Sequence, residues 1–239
     1  MAEEDFDLES LATYLHLTPD QVRKMANRDK LPGRRVGGGW KFSRAEIHHW
    51  FETKIGLSDE KELIEVQKVL AGHQAKEAAE FESGSENISS LLAVERIALP
   101  LVAKTKNSVL EKICEFASES GALWQPEDMA TALRNREDLH PTALGNGVAL
   151  LHPWRPRPSF FGEPFLALGI TSSGIPFGGP RGCLTDIFFL IASHDEAFHL
   201  RVLARLSRLV QQESLLDQLR ESESTAGVWQ LIDEADGQL

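Results

Sequence analysis

Two histidines and one arginine could do chemistry in the C-terminal part of this chain. His152 closes a short apolar run, Val148–Leu151, that follows a tight Gly145-Asn146-Gly147 turn. A histidine at the end of a strand sits where α/β sheets usually place ligand chemistry. His199 shares a helical stripe with Leu203, Leu206 and Val210, so it lies on or beside the core-facing side of its helix. Arg136 falls at the end of an amphipathic segment opened by Pro126. The spacing lets these three converge without any nearby acid. That set suits phosphoryl transfer through histidine. Neutral imidazole is a nucleophile near pH 7 and forms covalent intermediates. The moving group spreads negative charge over three oxygens and needs fixed donors, which an arginine or a second imidazole supplies. On spacing alone another reading stands beside it, in which both histidines are half-buried and bond to backbone. A metal site is not expected. His194 and His199 are five apart, the wrong interval for one helical face, and His140 and His152 flank a turn with no matching carboxylate. No cofactor is implied.

The elements that must hold these residues alternate between helix and strand from about residue 87. Helices are expected over 106–120, from Pro126 to about Glu137, and over 196–210, 213–221 and 225–235. Buried strands are expected at 148–151, 165–170 and 185–192, as apolar runs bounded by glycine or proline. The domain is therefore read as α/β, with a mixed central sheet flanked by helices.

A second constellation occupies the other end. Residues 8–16 have helical spacing. Thr18 can cap a second helix over about 19–28, which turns Val22 and Met25 inward and Arg23, Lys24 and Arg28 outward. Two short stretches around Gly37-Gly38-Gly39 read as a hairpin anchored by Val36, Trp40 and Phe42, and Ser43 caps a third helix to about Phe51. This order is that of a small winged helix-turn-helix, whose second helix enters the major groove of double-stranded DNA while the wing touches backbone. Candidate phosphate contacts are Arg23, Lys24, Arg28, Lys30, Arg34, Arg35 and Lys41. His48 and His49 are adjacent, so they point apart and make no metal pair. Residues 58–82 read as a charged connector helix, and Glu82-Ser83-Gly84-Ser85-Glu86 as a linker. The expected organisation is a DNA-binding domain at 8–53, a connector at 54–86 and an α/β domain at 87–239, α+β overall.

Composition agrees with two soluble domains. The chain has 239 residues, 42% hydrophobic and 26% charged, with a net charge of −11. Residues 10–54 hold 9 basic and 4 acidic side chains, whereas residues 55–239 hold 16 basic and 27 acidic. A basic module joined to an acidic body points to a polyanionic partner at one end. The apolar run 187–192 is about a third of a membrane helix. The opening MAEEDFDLES lacks a signal peptide's basic start and apolar centre. Two cysteines are too few for a disulfide scaffold or a cysteine zinc site. A reducing cytoplasm is the expected compartment, with no membrane insertion.

Two resemblances sharpen these expectations. The string LATYLHLTPDQVRKMANRDKLPGRRVGGGWKFSRAEIHHWF resembles the excisionase/MerR-type helix-turn-helix family. The resemblance implies DNA contacts by Thr18, Gln21, Arg23, Lys24 and Arg28 and by the wing residues Arg34, Arg35 and Lys41. Residues 87–239 resemble the fructose/mannitol-type IIA domain of the bacterial sugar phosphotransferase system, including its nitrogen-regulatory branch. The motifs are Arg136-Glu137, GNGVALLH, the pair FLALGI and DIFFLIAS, and HLRVLARLSRL. By that resemblance His152 accepts a phosphoryl group from the phosphocarrier HPr or its equivalent, with His199 and Arg136 beside it. The chain departs from the family in having Leu150-Leu151 in place of Ile-Pro, and a basic proline-rich stretch at 153–158. The expectation is a DNA-binding regulator that couples sugar or nitrogen status to regulation, a phosphohistidine carrier rather than a turnover enzyme, with a homodimer as one arrangement. The alternative is a relay phosphocarrier whose basic domain binds protein.

Overall fold

The structure, a computed structural model, describes residues 5–14, 17–43, 46–47, 50 and 87–239. The connector helix, the linker and the His48-His49 pair lie outside the described residues, as does most of the third helix. The chain divides into two units, Met1–Ser85 and Glu86–Leu239.

In the first unit, α1 (Leu8–Tyr14) and α2 (Pro19–Ala26) precede a hairpin of β1 (Arg34–Val36) and β2 (Gly39–Lys41). Thr18 and Gln21 form a reciprocal capping box that starts α2 and satisfies two of its orphan amides. Gly37 and Gly38 both have positive φ, which a tight two-residue hairpin turn requires and L side chains resist. The small core contains Phe6, Leu11, Val22, Leu31, Phe42 and Ile47. Phe6 bridges to Phe42, so the N-terminal segment adds a backbone pair beside the hairpin. Val36, expected to anchor the hairpin, is 54% exposed at its tip. The turn lifts it away from the core, and Phe42 with half-buried Trp40 does the anchoring.

In the second unit, α3 (Ile88–Leu91) and β3 (Leu92–Ala98) lead to α4 (Lys106–Glu119) and α5 (Pro126–Leu139). Then come β4 (Val148–Leu151), β5 (Phe165–Pro176), β6 (Leu184–Ala192), α6 (Glu196–Leu209), α7 (Glu213–Glu221) and α8 (Thr225–Asp236). The sheet order is β3-β5-β6-β4; β5 and β6 are antiparallel, and the outer pairs are parallel. Strand alternation sends Phe165, Ala167, Phe188 and Leu190 into a core with Val109, Ile113, Met129 and Leu133 of α4 and α5. The intervening Leu166, Leu168, Ile187 and Phe189 are also buried, and α6 packs on β6 while α8 packs on β3. Both faces are covered, which is why these strands read as unbroken apolar runs. Truncating Phe188 to alanine would cost about 3–5 kcal/mol.

Because β4 and β6 run parallel, with Leu151 opposite Leu190, the residues that follow both strands emerge at the same edge of the sheet. This is the relation that positions the site.

Candidate functional site

His152 follows β4 directly and is buried. Its Nδ1 lies 2.8 Å from the carbonyl oxygen of Leu150. A carbonyl only accepts, so Nδ1 carries the hydrogen and donates it. The Nε2 lone pair is thereby left on the other side of the ring, as a nucleophile requires. His199 sits in the first turns of α6, whose N-cap Asp195 accepts from the Phe198 amide at 2.8 Å. It too is buried, and its ring centroid is 4.8 Å from that of His152, with the planes tilted by 52°.

Arg136 lies in the last turn of α5 and is buried. Its Nη1 donates to the carbonyl of His140 at 2.7 Å, which satisfies an orphan group at the helix end. The guanidinium carbon stands 5.6 Å from the ring centre of Trp154, two residues beyond His152. The structure thus pairs the two histidines directly and ties Arg136 to the segment that leaves His152.

A buried carboxylate lies within electrostatic range of His152. Glu137 is buried, accepts from the Thr142 amide at 3.2 Å and from the Thr142 hydroxyl, and lies 3.6 Å from Lys106 Nζ. Burial pushes its carboxyl above the ordinary range. The Thr142 hydroxyl, Lys106 and, more weakly, His152 oppose that rise, so Glu137 and His152 share one electrostatic environment. Glu137 was visible as the partner of Arg136 in sequence, but its reach depends on how residues 140–142 return toward β4.

The proline-rich segment after His152 is held by backbone. The Trp124 amide donates to the Phe160 carbonyl at 2.8 Å, and the Phe160 amide to Arg157 at 2.9 Å. Arg155 and Arg157 are exposed, and Trp124, 63% exposed, packs over Gly162.

In the first unit, the candidate DNA-contacting residues fall on two elements. On α2, the Gln21 side chain is engaged in the capping box and Arg23 is ion-paired with Asp20, whereas Lys24 is exposed. Arg28 and Lys30 are exposed just beyond the helix end. On the hairpin, Arg34 is paired with Asp5 at 2.7 Å. Arg35 donates to Asn27 Oδ1 at 3.3 Å, and its guanidinium lies 5.3 Å from the Trp40 ring centre. Lys41 is half-buried and lies within electrostatic range of Asp7. Thr18 spends its hydroxyl on the helix start.

Among the described residues no helix is long and apolar enough to cross a membrane. Residues 6–54 match the family described as helix-turn-helix domain. The fructose-specific EIIABC component of the phosphotransferase system of Bacillus subtilis is 28% identical over 151 residues, 62% of this chain. The match spans only 23% of that protein's length. A nitrogen regulatory protein of Bradyrhizobium diazoefficiens is 29% identical over 149 residues, covering 61% of this chain and 94% of that one. Among solved structures, IIA mannitol from Escherichia coli is 25% identical with a TM-score of 0.53, over 59% of this chain and 98% of that one. The nitrogen regulatory protein IIA-Ntr from Neisseria meningitidis, 24% identical over 61% of this chain and 98% of its own, shares the fold with a TM-score of 0.55. Residues 90–235, more than half of the chain, match the description phosphoenolpyruvate-dependent sugar phosphotransferase system, EIIA 2, and the chain belongs to that family.

Proposed function

We propose that His152 accepts a phosphoryl group from a phosphocarrier protein such as HPr, and that the N-terminal module, residues 8–53, binds duplex DNA. The protein is then a cytoplasmic regulator in which the phosphorylation state of residues 87–239 reports sugar or nitrogen status. The observation that supports this most is the His152 ring, held by the Leu150 carbonyl with Nε2 left as the lone-pair nitrogen, against the ring of His199. In the step, the Nε2 lone pair forms a new P–N bond. The donor's P–N bond breaks, and the donor imidazole leaves with that electron pair. His199 and the Arg136 guanidinium stabilise charge on the phosphoryl oxygens. No cofactor takes part.

The helix-turn-helix match and the exposed Lys24, Arg28, Arg34 and Arg35 support DNA as the other partner. A second reading is favoured by the ion pairs Arg23–Asp20 and Arg34–Asp5, which neutralise part of the basic face. In it the protein is a relay carrier whose small domain binds protein. A relative of the same fold supports that role: enzyme IIA mannitol of Escherichia coli was solved in complex with phosphorylated IIB mannitol.

The test is to incubate the full-length protein with phosphorylated HPr and, separately, with phosphoramidate, from which ammonia departs. Acid-labile phosphate on the His152 peptide is expected, together with salt-sensitive duplex binding. No duplex binding at about 50 mM salt, where electrostatic affinity is strongest, would favour the relay reading.

A further inference from the structure

We propose that Glu137 is a positioning residue for His152: its carboxyl takes up the Thr142 amide and so reserves the Leu150 carbonyl for the imidazole. The inference rests on the reading of His152 as the acceptor for its functional meaning, but not for its structural test. β4 is an edge strand of the sheet, paired with β6 on one side. On its other side the returning segment 142–144 runs antiparallel to it, with Ala143 opposite Ala149. The Leu144 amide donates to the Val148 carbonyl at 2.7 Å, and the Leu150 amide donates to the Thr142 carbonyl at 3.3 Å.

That register sets Thr142 directly opposite Leu150. In an antiparallel ladder such a pair exchanges two bonds, one in each direction. Among the described residues one of the two is formed, from Leu150 to Thr142. The Thr142 amide turns instead to Glu137, at 3.2 Å from each carboxyl oxygen, and the Thr142 hydroxyl donates to the same group. The Leu150 carbonyl, which the ladder would have paired with that amide, receives His152 Nδ1 at 2.8 Å.

The carboxyl is held where the amide needs it. Glu137 is buried in the last turn of α5. Lys106 Nζ stands 3.6 Å from its carboxyl and donates to its backbone carbonyl at 3.2 Å. Thr142 is buried as well, so its amide does not go without an acceptor when the carboxyl is removed. Its ladder partner, the Leu150 carbonyl, is the acceptor that the register offers. The amide then competes with the imidazole for one oxygen, a competition worth about tenfold in the orientation of the ring.

The experiment uses the full-length protein, labelled with 15N and 13C in one sample and with 15N-histidine in another. In the wild type the Thr142 amide proton should shift in step with the titration of the Glu137 carboxyl. Lys106 and His152 also act on that carboxyl, so its titration is read at its own 13Cδ. A Thr142 amide that stays still while Glu137 titrates overturns the proposal without any variant. Glu137→Met removes the acceptor at similar length, whereas Glu137→Gln keeps an accepting oxygen. Long-range 1H–15N correlation should show hydrogen on His152 Nδ1 in the wild type and in Glu137→Gln, and a mixture of ring forms in Glu137→Met. Other contacts of the ring are common to the three proteins, so the difference reads the Leu150 carbonyl. Labelling of His152 by phosphoramidate should slow by about tenfold in Glu137→Met and recover in Glu137→Gln. An unchanged single ring form in Glu137→Met overturns the proposal. If phosphoramidate leaves wild-type His152 unlabelled, the acceptor reading fails, and the spectra still decide the role of Glu137.

Discussion

Asp5, from the acidic start of the chain, is ion-paired at 2.7 Å with Arg34 on the first strand of the hairpin. Arg34 remains 67% exposed at its side chain, so this pair is a weak one in water. In the proposed DNA complex Asp5 competes with backbone phosphate for the same guanidinium. Asp5→Asn should therefore raise duplex affinity by up to about fivefold, the range of an exposed pair, as read by fluorescence anisotropy at low salt. Unchanged affinity would show that Arg34 does not contact DNA.

Arg35 is held differently, by Asn27 at the end of α2 and by the face of Trp40. A phosphate contact from this residue adds affinity without sequence preference. Arg35→Ala should weaken binding to all duplexes about equally and lower the slope of log affinity against log salt by about one. A change in which sequence is preferred would move Arg35 from the backbone to the bases.

His152→Ala should abolish phosphoryl acceptance, because the covalent ligand is gone. His199→Ala should keep the acceptor and lose a donor, slowing transfer on the order of 10²-fold. Mass spectrometry of the phosphorylated peptide checks the first, and single-turnover transfer from phosphorylated HPr checks the second. Phosphate on the same peptide of His152→Ala at the wild-type rate would remove the assignment.

Gly147 precedes β4 at φ +90°, and a Cβ there would meet Arg220 Nη2 at 2.6 Å and Asp186 Oδ1 at 3.0 Å. Those two groups form the ion pair that closes this end of the sheet, with Arg220 also donating to the Asn146 carbonyl. Gly147→Ala should destabilise the second unit by about 1–3 kcal/mol. Gly145→Ala, with open space around its Cβ, should stay within about 0.5 kcal/mol. Urea unfolding of both variants makes the comparison.

Glu137 binds its proton more tightly in the folded chain than in the unfolded one, because burial raises its carboxyl above the ordinary 4.5. Its contribution to stability is full below that value and is lost as pH rises through the folded one. Glu137→Gln removes this dependence, so the variant should gain stability relative to the wild type between about pH 4.5 and pH 7. Lys106, Asp138, Thr142 and His152 face this group or its partners. The reverse trend in urea titrations would mean that the ion pair with Lys106 outweighs burial.

The parts of this structure legible in sequence are those set by local periodicity. His152 ends a four-residue apolar run that is β4, and His199 lies on the buried stripe of α6 with Leu203 and Leu206. What was hidden depends on tertiary partners. β3 reads LAVERIA, and its central Glu95-Arg96 breaks the apolar run that marks β5 and β6. β5 continues to Pro176 beyond Ile170 through an exposed Ser-Ser-Gly because β6 pairs with it there again after a register shift. Val36 looked like an anchor by residue type, but the turn at Gly37-Gly38 carries it into solvent. Glu137 comes within electrostatic range of His152, and Ser193 within hydrogen-bond distance of His199, only through the returning loop and the shared sheet edge, which no sequence interval encodes.

The carbonyl that accepts from the His152 ring belongs to its own strand, two residues back. The orienting carbonyl belongs to backbone, so side-chain replacement at 155–163 leaves it in place. The surface around the histidine can therefore be exchanged while the hydrogen on its ring stays where it is. Grafting a different loop between Trp154 and Phe165 is a route to changing which protein docks there, with the acceptor atom kept intact. Lineages and designers alike can alter the conversation partner of such a domain without rewriting its chemistry.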